Sequence, residues 1–186
     1  MINQRLTKEY QENIIDLIAL IDEPNREKCL KLYQDNQEIF DKAPAAVSNH
    51  QAWPGGYMDH VREVMNLAIK LYQSMGEIRP LPFSLSDALL ALFLHDLEKP
   101  WRFCGDETTR QNLDERQNRD PFRKAKMEEY EIILSPFQEN GIDYVEGELD
   151  GSYTPHRRTM NELAAFCHMC DVASARLWYD YPRNTR

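Results

Sequence analysis

Long apolar runs, an excess of basic charge and internal repeats are all missing from this chain. No segment approaches the roughly 20 consecutive apolar residues of a membrane span, so we expect no membrane partner. The formal net charge of −9 disfavours binding to long nucleic acid, which needs a basic face to neutralise phosphates. Residues 1–11 are polar and charged and contain no apolar signal segment, which predicts a cytoplasmic protein.

Cysteine is also scarce, with four copies: Cys29, Cys104, Cys167 and Cys170. We predict free thiols, because a chain of this size without an export signal seldom depends on a disulfide framework. The spacing of Cys167 and Cys170 is that of half a zinc site, but the chain offers no second pair of ligands for a structural zinc ion. Both are therefore assigned to the core.

The remaining sequence is dominated by helical periodicity. A length of 186 residues allows one well-buried core and is short for two domains. We predict an all-α protein that forms a single domain over residues 1–186, with about six or seven helices. Its motif-bearing core spans about residues 48–176, and the N-terminal helices of residues 1–42 pack on that core.

Glycine and proline set the predicted boundaries. Gly76 is predicted to end the third helix and Pro100 the fourth, and Ser84 with Asp87 predicts a capping box. Residues 45–56 are predicted to form a loop, 101–118 an irregular excursion and 141–155 a turn-rich segment. The predicted helices run from Thr7 to Ile21, Asn25 to Phe40, Tyr57 to Met75, Ser84 to Pro100, Pro121 to Phe137 and Arg157 to Tyr179.

Adjacent histidine and aspartate residues, His95 and Asp96, follow an otherwise apolar run. Burying a carboxylate without a partner is costly, so a compensating charge is expected. Helical spacing directs His60 and Asp171 inward on two other apolar helices. The pattern predicts one divalent metal ion that is held by His60, His95, Asp96 and Asp171.

Each ligand taken alone has a simpler explanation. A lone inward histidine is more often a satisfied core residue than a ligand, and an aspartate near a helix end is usually a cap or a salt-bridge partner. The joint occurrence favours a metal. Imidazole and carboxylate ligands suit Mn, Fe, Co, Ni or Zn, with Mg less favoured. Four protein ligands on an octahedral ion leave two positions for substrate and for a water that the ion acidifies.

These residues resemble the H…HD…D signature of the HD-domain superfamily of metal-dependent phosphohydrolases. The segment Asn49 to His60 is similar to the "HH-x-x-x-GG-x-x-x-H" entry of several bacterial members. His95 to Lys99 resembles their "HD-x-G-K", and Cys167 to Asp171 resembles the helix that donates the last aspartate. The resemblance covers roughly residues 48–176 and implies an HD-like helical bundle.

Two departures narrow what the resemblance implies. Glu98 stands where relatives often have glycine, and no His-His-Gly segment lies between Asp96 and Asp171. The members that bind two metals need those additional histidines. We therefore expect one metal and neither a di-iron oxygenase nor a two-metal phosphodiesterase.

The resemblance also suggests roles for residues around the metal. Asp96, Lys99 and Glu98 are the predicted catalytic residues, with Asp96 orienting the water and Lys99 stabilising phosphoryl charge. His50, Lys99 and Arg102 are the predicted substrate-binding residues. Three of these residues also have a simpler interpretation. Lys99 could be a solvated lysine at a helix end, Glu98 could be an exposed side chain, and His50 could be a surface histidine.

Two further features have open interpretations. A local basic cluster binds a phosphate tail or pairs with nearby glutamates as a solvated face. His168 either supports Asp171 by a hydrogen bond or is a core histidine. The basic cluster comprises Arg116, Arg119, Arg123, Lys124 and Lys126.

The expected function is hydrolysis of a phosphate ester in a nucleotide or a similar small phosphorylated metabolite. A regulatory metal-binding module without turnover is the first alternative, because Glu98 departs from the pattern. A nuclease or phosphodiesterase that acts on oligonucleotides from the 3' end is the second, and the acidic charge disfavours it. Assembly into a homo-oligomer is compatible with all three.

Overall fold

The structure, a computed structural model, describes residues 12–48, 50–148 and 159–178, and these ranges are all-α, as predicted, without a strand. Ten α-helices and one 3-10 turn, Arg116–Asn118, follow one another. The helices are α1 (Ile14–Ala19), α2 (Asn25–Asp35), α3 (Gln37–Lys42), α4 (Gly56–Ile78), α5 (Leu85–Leu94), α6 (Lys99–Cys104), α7 (Glu107–Asp114), α8 (Arg119–Glu129), α9 (Pro136–Asp143) and α10 (Glu162–Leu177).

The number of helices exceeds the six or seven predicted for two reasons: two predicted helices are interrupted, and α6 and α7 form largely in a segment that was predicted to be irregular. The segment predicted as one helix from Asn25 breaks at Asn36, whose φ of −120° and ψ of 13° are not helical. The helix predicted from Pro121 to Phe137 ends at Glu129, and Glu131 follows with a left-handed φ of 54°. The predicted ends Thr7, Arg157 and Tyr179 lie outside the described residues.

Two predicted helix ends and one segment predicted to be irregular are wrong. Gly76 does not end its helix, since α4 continues to Ile78. Gly76 is exposed, and no neighbouring atom lies within 4 Å of a Cβ added there, so nothing nearby forces the helix to end. Pro100 does not end α5, which stops at Leu94; it lies in the first turn of α6, where its missing N–H is no loss. Residues 101–118 are largely helical rather than irregular, with Asp106 capping α7.

The core gathers the apolar faces of most helices. All residues of α5 from Ala88 to Leu94 are buried, and the capping box of Ser84 and Asp87 begins this helix as predicted. Helices α4 and α10 pack on α5 and on each other, while α3 packs on α4 and α6. All four cysteines are free thiols. Within the described ranges, no helix combines the length and apolar character needed to cross a membrane.

A tight turn fixes where α4 begins. Gly55 precedes the helix with a left-handed φ of 82°. A Cβ atom added at Gly56 would lie 1.9 Å from the carbonyl oxygen of Gln51, so only glycine fits there. The first turn of α4 is therefore held against the preceding loop, and His60 lies one turn farther on.

Candidate metal centre

Three mutually packed helices bring the predicted ligands together. His60 lies on α4 and is completely buried, and Asp171 lies on α10 with 17% of its side chain exposed. His95 forms the C-cap of α5, so Asp96 follows where the chain leaves the helix. The sequence positions differ by up to 111, but α4, α5 and α10 all contact one another.

The ligand atoms lie close to one another. The Nε2 atoms of His60 and His95 are 3.3 Å apart. Asp171 Oδ1 is 3.2 Å from His60 Nε2 and 3.8 Å from His95 Nε2. Asp96 Oδ2 is 3.1 Å from His95 Nε2 and 3.6 Å from His60 Nε2. His60, His95 and Asp171 form a group that could hold a metal ion.

The backs of both imidazoles are fixed by oxygen atoms. His95 Nδ1 lies 2.7 Å from the carbonyl oxygen of Leu92, and His60 Nδ1 lies 3.0 Å from the hydroxyl of Ser174. Since a carbonyl only accepts, His95 Nδ1 must carry a hydrogen. In the neutral ring, Nε2 is then the nitrogen without a hydrogen, and it can bind a cation between the two rings.

The two carboxylates make the cluster attractive to positive charge. Burial opposes a charge on His95, but Asp96 and Asp171 outweigh it and raise the pKa of His95 to about 9. Burial likewise disfavours the Asp96 carboxylate, yet His95 and Lys99 hold its pKa well below the usual range. Lys99 Nζ lies 2.5 Å from Asp96 Oδ2 and neutralises part of this charge.

The donor set fits a divalent transition metal. Two imidazole nitrogens that bind one ion at about 2.1 Å lie about 3.0 Å apart at a right angle and about 3.4 Å apart at a tetrahedral angle. The 3.3 Å between the two Nε2 atoms falls within that range. The oxygens of Asp96 and Asp171 lie close enough to serve as further ligands of such an ion, and mixed nitrogen and oxygen sets suit Mn, Fe, Co, Ni and Zn.

A cavity of about 250 Å³ opens beside His95 and Asp96. This volume lies slightly below the range typical of small-molecule sites, about 300–1,000 Å³. Both charge signs face it. The other charged residues that line it are Glu98, Arg116, Arg119, Asp120, Arg123, Asp143 and Glu146.

The predicted basic cluster divides into different environments. Arg123 is buried; it donates to the carbonyl oxygen of His95 at 2.8 Å and to Asp120 at 2.7 Å, so it supports the backbone of the site. Arg119 donates to the carbonyl oxygens of Leu113 and Asp114. These carbonyls orient its guanidinium without cancelling its charge.

The other members are more exposed. Arg116 forms an exposed pair with Glu146 at 3.7 Å. Lys124 is exposed, and Lys126 pairs with Glu129 and lies 4.9 Å from the Trp101 ring centroid. The cluster is therefore neither one phosphate site nor one solvated face.

The predicted catalytic and substrate-binding residues are placed unevenly. Glu98 is buried and lines the cavity. Its pKa is raised, mainly by burial and also by the negative charge of the nearby Asp96. The ring of His50 lies 5.2 Å from that of His60, and burial lowers its pKa to about 4. Lys99 contacts Asp96 rather than the cavity. Arg102 pairs with Asp114 at 3.5 Å, and it does not line the cavity.

Sequence reasoning missed the polar residues behind His60. No sequence motif includes Ser174, Glu63 or Gln51. The one signal in the sequence is helical spacing, which places Ser174 near Asp171 and Glu63 near His60. His168, for which support of Asp171 was one of two open interpretations, lies with Nδ1 2.6 Å from the carbonyl oxygen of Val145.

Comparisons of the chain with protein-family models, with curated proteins and with solved structures give no match.

Proposed function

We propose that this protein is a metal-dependent phosphohydrolase with an HD-domain type of site, acting on a phosphate ester of a nucleotide or a similar small phosphorylated metabolite. The facing Nε2 atoms of His60 and His95, 3.3 Å apart between two aspartates, support this proposal most. They converge from separate helices on one point next to a cavity, which a merely structural histidine pair would not require.

His60, His95, Asp96 and Asp171 are the residues that would hold the ion. A divalent ion there would supply an acidified water and would polarise the phosphoryl group. Asp96 is among the residues that line the cavity in which the ester would bind. Lys99, in contact with Asp96 Oδ2, restrains that carboxylate and places a positive charge beside it.

The cavity accounts for substrate binding in this proposal. Arg119 presents an oriented guanidinium to the cavity, and guanidinium groups bind phosphate oxygens well. Glu98 offers a buried carboxyl group on the same side, in position to exchange a proton with a leaving alcohol. A volume near 250 Å³ favours a small substrate over a polymer.

The test measures metal content and phosphate release together. Purified wild-type protein, Asp96→Ala and the exposed control Asp35→Ala are analysed for transition metals and assayed on a nucleotide panel. We expect about one metal per chain and hydrolysis of a restricted substrate set in wild type and control. Asp96→Ala should lose both. A wild type without transition metal after reconstitution would show that the proposal is wrong.

A regulatory module is the second candidate, and the contact between Lys99 and Asp96 favours it, because the ammonium group occupies one face of a predicted ligand. Such a module would bind metal and nucleotide without turnover. In the same assay, stoichiometric metal together with nucleotide binding and no product would support this candidate over the enzyme.

A further inference from the structure

A chain of polar side chains, of which Ser174 and Gln51 are buried and Glu63 is half-buried, leads away from His60 on the side opposite the cluster. His60 Nδ1 lies 3.0 Å from Ser174 Oγ, and this hydroxyl donates to Glu63 Oε2 at 2.5 Å. Gln51 Nε2 donates to Glu63 Oε2 at 2.8 Å and to Ser174 Oγ at 3.2 Å. Ser174 is completely buried and Gln51 is 2% exposed, so these groups bond to one another in place of water.

We propose that Ser174 and Glu63 are positioning residues that hold His60 in the tautomer whose Nε2 is free to bind metal. A hydroxyl group has one hydrogen, and Ser174 gives that hydrogen to Glu63 when the Glu63 carboxyl group is ionised and can only accept. Its oxygen can then only accept from His60, so Nδ1 carries the imidazole hydrogen. The lone pair of Nε2 points into the cluster. This inference rests on the metal site of the proposed function.

The opposite tautomer would block the site. With its hydrogen on Nε2, His60 would donate to Asp171 Oδ1 at 3.2 Å, and Nε2 would no longer bind a cation. The unprotonated Nδ1 would then face the lone pairs of Ser174 Oγ without a hydrogen between them. Gln51 strengthens this preference, because its amide donates to both oxygens and fixes the direction of the hydrogen bonds.

The same spacing on two helices builds this arrangement. On α4, Glu63 follows the ligand His60 by three residues, and on α10, Ser174 follows the ligand Asp171 by three residues. Each helix thus provides a ligand and, about one turn later, a residue that supports His60. Gln51 reaches them from the preceding loop with a left-handed φ of 44°, a conformation that is unfavourable for a residue with a side chain.

Metal affinity is the first measurement. Zn²⁺ is titrated calorimetrically into metal-free wild type, Ser174→Ala and Glu63→Gln, with Ser74→Ala and Glu77→Gln as exposed controls on α4. Loss of a hydrogen bond that orients a ligand typically weakens metal binding 10- to 100-fold. We expect a loss of that size for Ser174→Ala and a smaller one for Glu63→Gln, whose amide can donate as well as accept. The controls should match wild type.

Thermal unfolding of the metal-free variants separates positioning from general stability. A weaker affinity in a variant that unfolds like wild type supports the proposal. An unchanged affinity in folded Ser174→Ala overturns it. If Ser174→Ala does not fold, the same comparison is made with Glu63→Gln.

The tautomer itself is the second measurement, and it requires no metal. Nitrogen NMR of ¹⁵N-histidine-labelled, metal-free protein should show the His60 hydrogen on Nδ1 in wild type and a shift toward Nε2 in Ser174→Ala. Hydrogen on Nε2 in wild type would overturn the proposal whether or not metal binds. If His60 has the expected tautomer but the protein binds no metal, the positioning role of Ser174 and Glu63 stands and the proposed function is rejected instead.

Discussion

Arg123 donates a hydrogen bond from Nη1 to the carbonyl oxygen of His95 at 2.8 Å, although the two residues are 28 positions apart. Its other terminal nitrogen binds Asp120 at 2.7 Å, and Glu98 lies 3.8 Å from Nη1. The guanidinium therefore satisfies the backbone where the chain turns from α5 into Asp96. Together with Lys99, it also offsets the negative charge of the buried Glu98 carboxylate.

We expect Arg123→Met to lower the free energy of unfolding by about 3 kcal/mol, because removing one partner of a buried ion pair leaves the other uncompensated. Denaturant unfolding of metal-free protein gives this value. Lys124→Met, exposed on the same helix, should stay within about 0.5 kcal/mol of wild type. Equal stabilities for the two variants would mean that Arg123 does not hold the site backbone.

The candidate ligand residues were accessible from sequence because each of them breaks a simple pattern. His95 and Asp96 end an apolar helix, and His60 and Asp171 lie on inward faces at helical spacing. The spacing of apolar residues along a helix shows which side chains face the core, and side chains that face one core from several helices come close to one another. The all-α fold follows from the same signal.

The supporting residues were not accessible, because tertiary contacts decide their roles. The neighbouring sequence does not show that Arg123 is buried while Lys124 is exposed, and it does not distinguish Ser174 from other serines. Likewise, α6 is short and contains Pro100, and α7 has a polar composition, so local patterns assign both segments to loops. Packing and the cap at Asp106 make them helical.

Arg119 gives a prediction about substrate binding. Among the described residues no acidic side chain forms an ion pair with it, and its Nε and Nη2 hydrogens go to backbone carbonyls. Arg119→Ala should raise KM for the preferred nucleotide about 10- to 100-fold, the range expected for losing a hydrogen bond to a charged group. Steady-state kinetics measure this, and kcat should change less than KM. Arg110→Ala, which changes an exposed residue of α7, is the control and should keep the wild-type KM. If Arg119→Ala also has the wild-type KM, Arg119 does not bind the phosphate of the substrate.

Glu63 gives a prediction about pH. Burial raises its pKa from 4.5 to about 7, although hydrogen bonds from Ser174 and Gln51 oppose the shift. The folded protein therefore binds a proton more tightly at Glu63 than the unfolded chain does. The stability that this proton contributes is fully present below pH 4.5 and is lost as the pH rises through about 7.

Glu63→Gln removes this proton-linked contribution. Its free energy of unfolding should therefore fall less steeply between pH 4.5 and pH 7 than that of wild type, as measured by urea titrations of metal-free protein across that range. Glu77→Gln, exposed on the same helix, should keep the wild-type slope. Parallel curves for wild type and Glu63→Gln would show that Glu63 titrates normally.

Two glycines of α4 should respond in opposite ways to the same substitution. Gly76 lies inside the helix with nothing within 4 Å of an added Cβ, so Gly76→Ala should stabilise the protein by about 0.5–1 kcal/mol through helix propensity. Gly56→Ala would place its Cβ 1.9 Å from the carbonyl oxygen of Gln51, and backbone cannot yield as a flexible side chain can. We expect Gly56→Ala to be destabilising and also to weaken metal binding, because Gln51 donates to the residues behind His60. Thermal unfolding and Zn²⁺ titration of both variants provide the comparison. A stable Gly56→Ala protein with wild-type metal affinity would contradict the link between this turn and the metal centre.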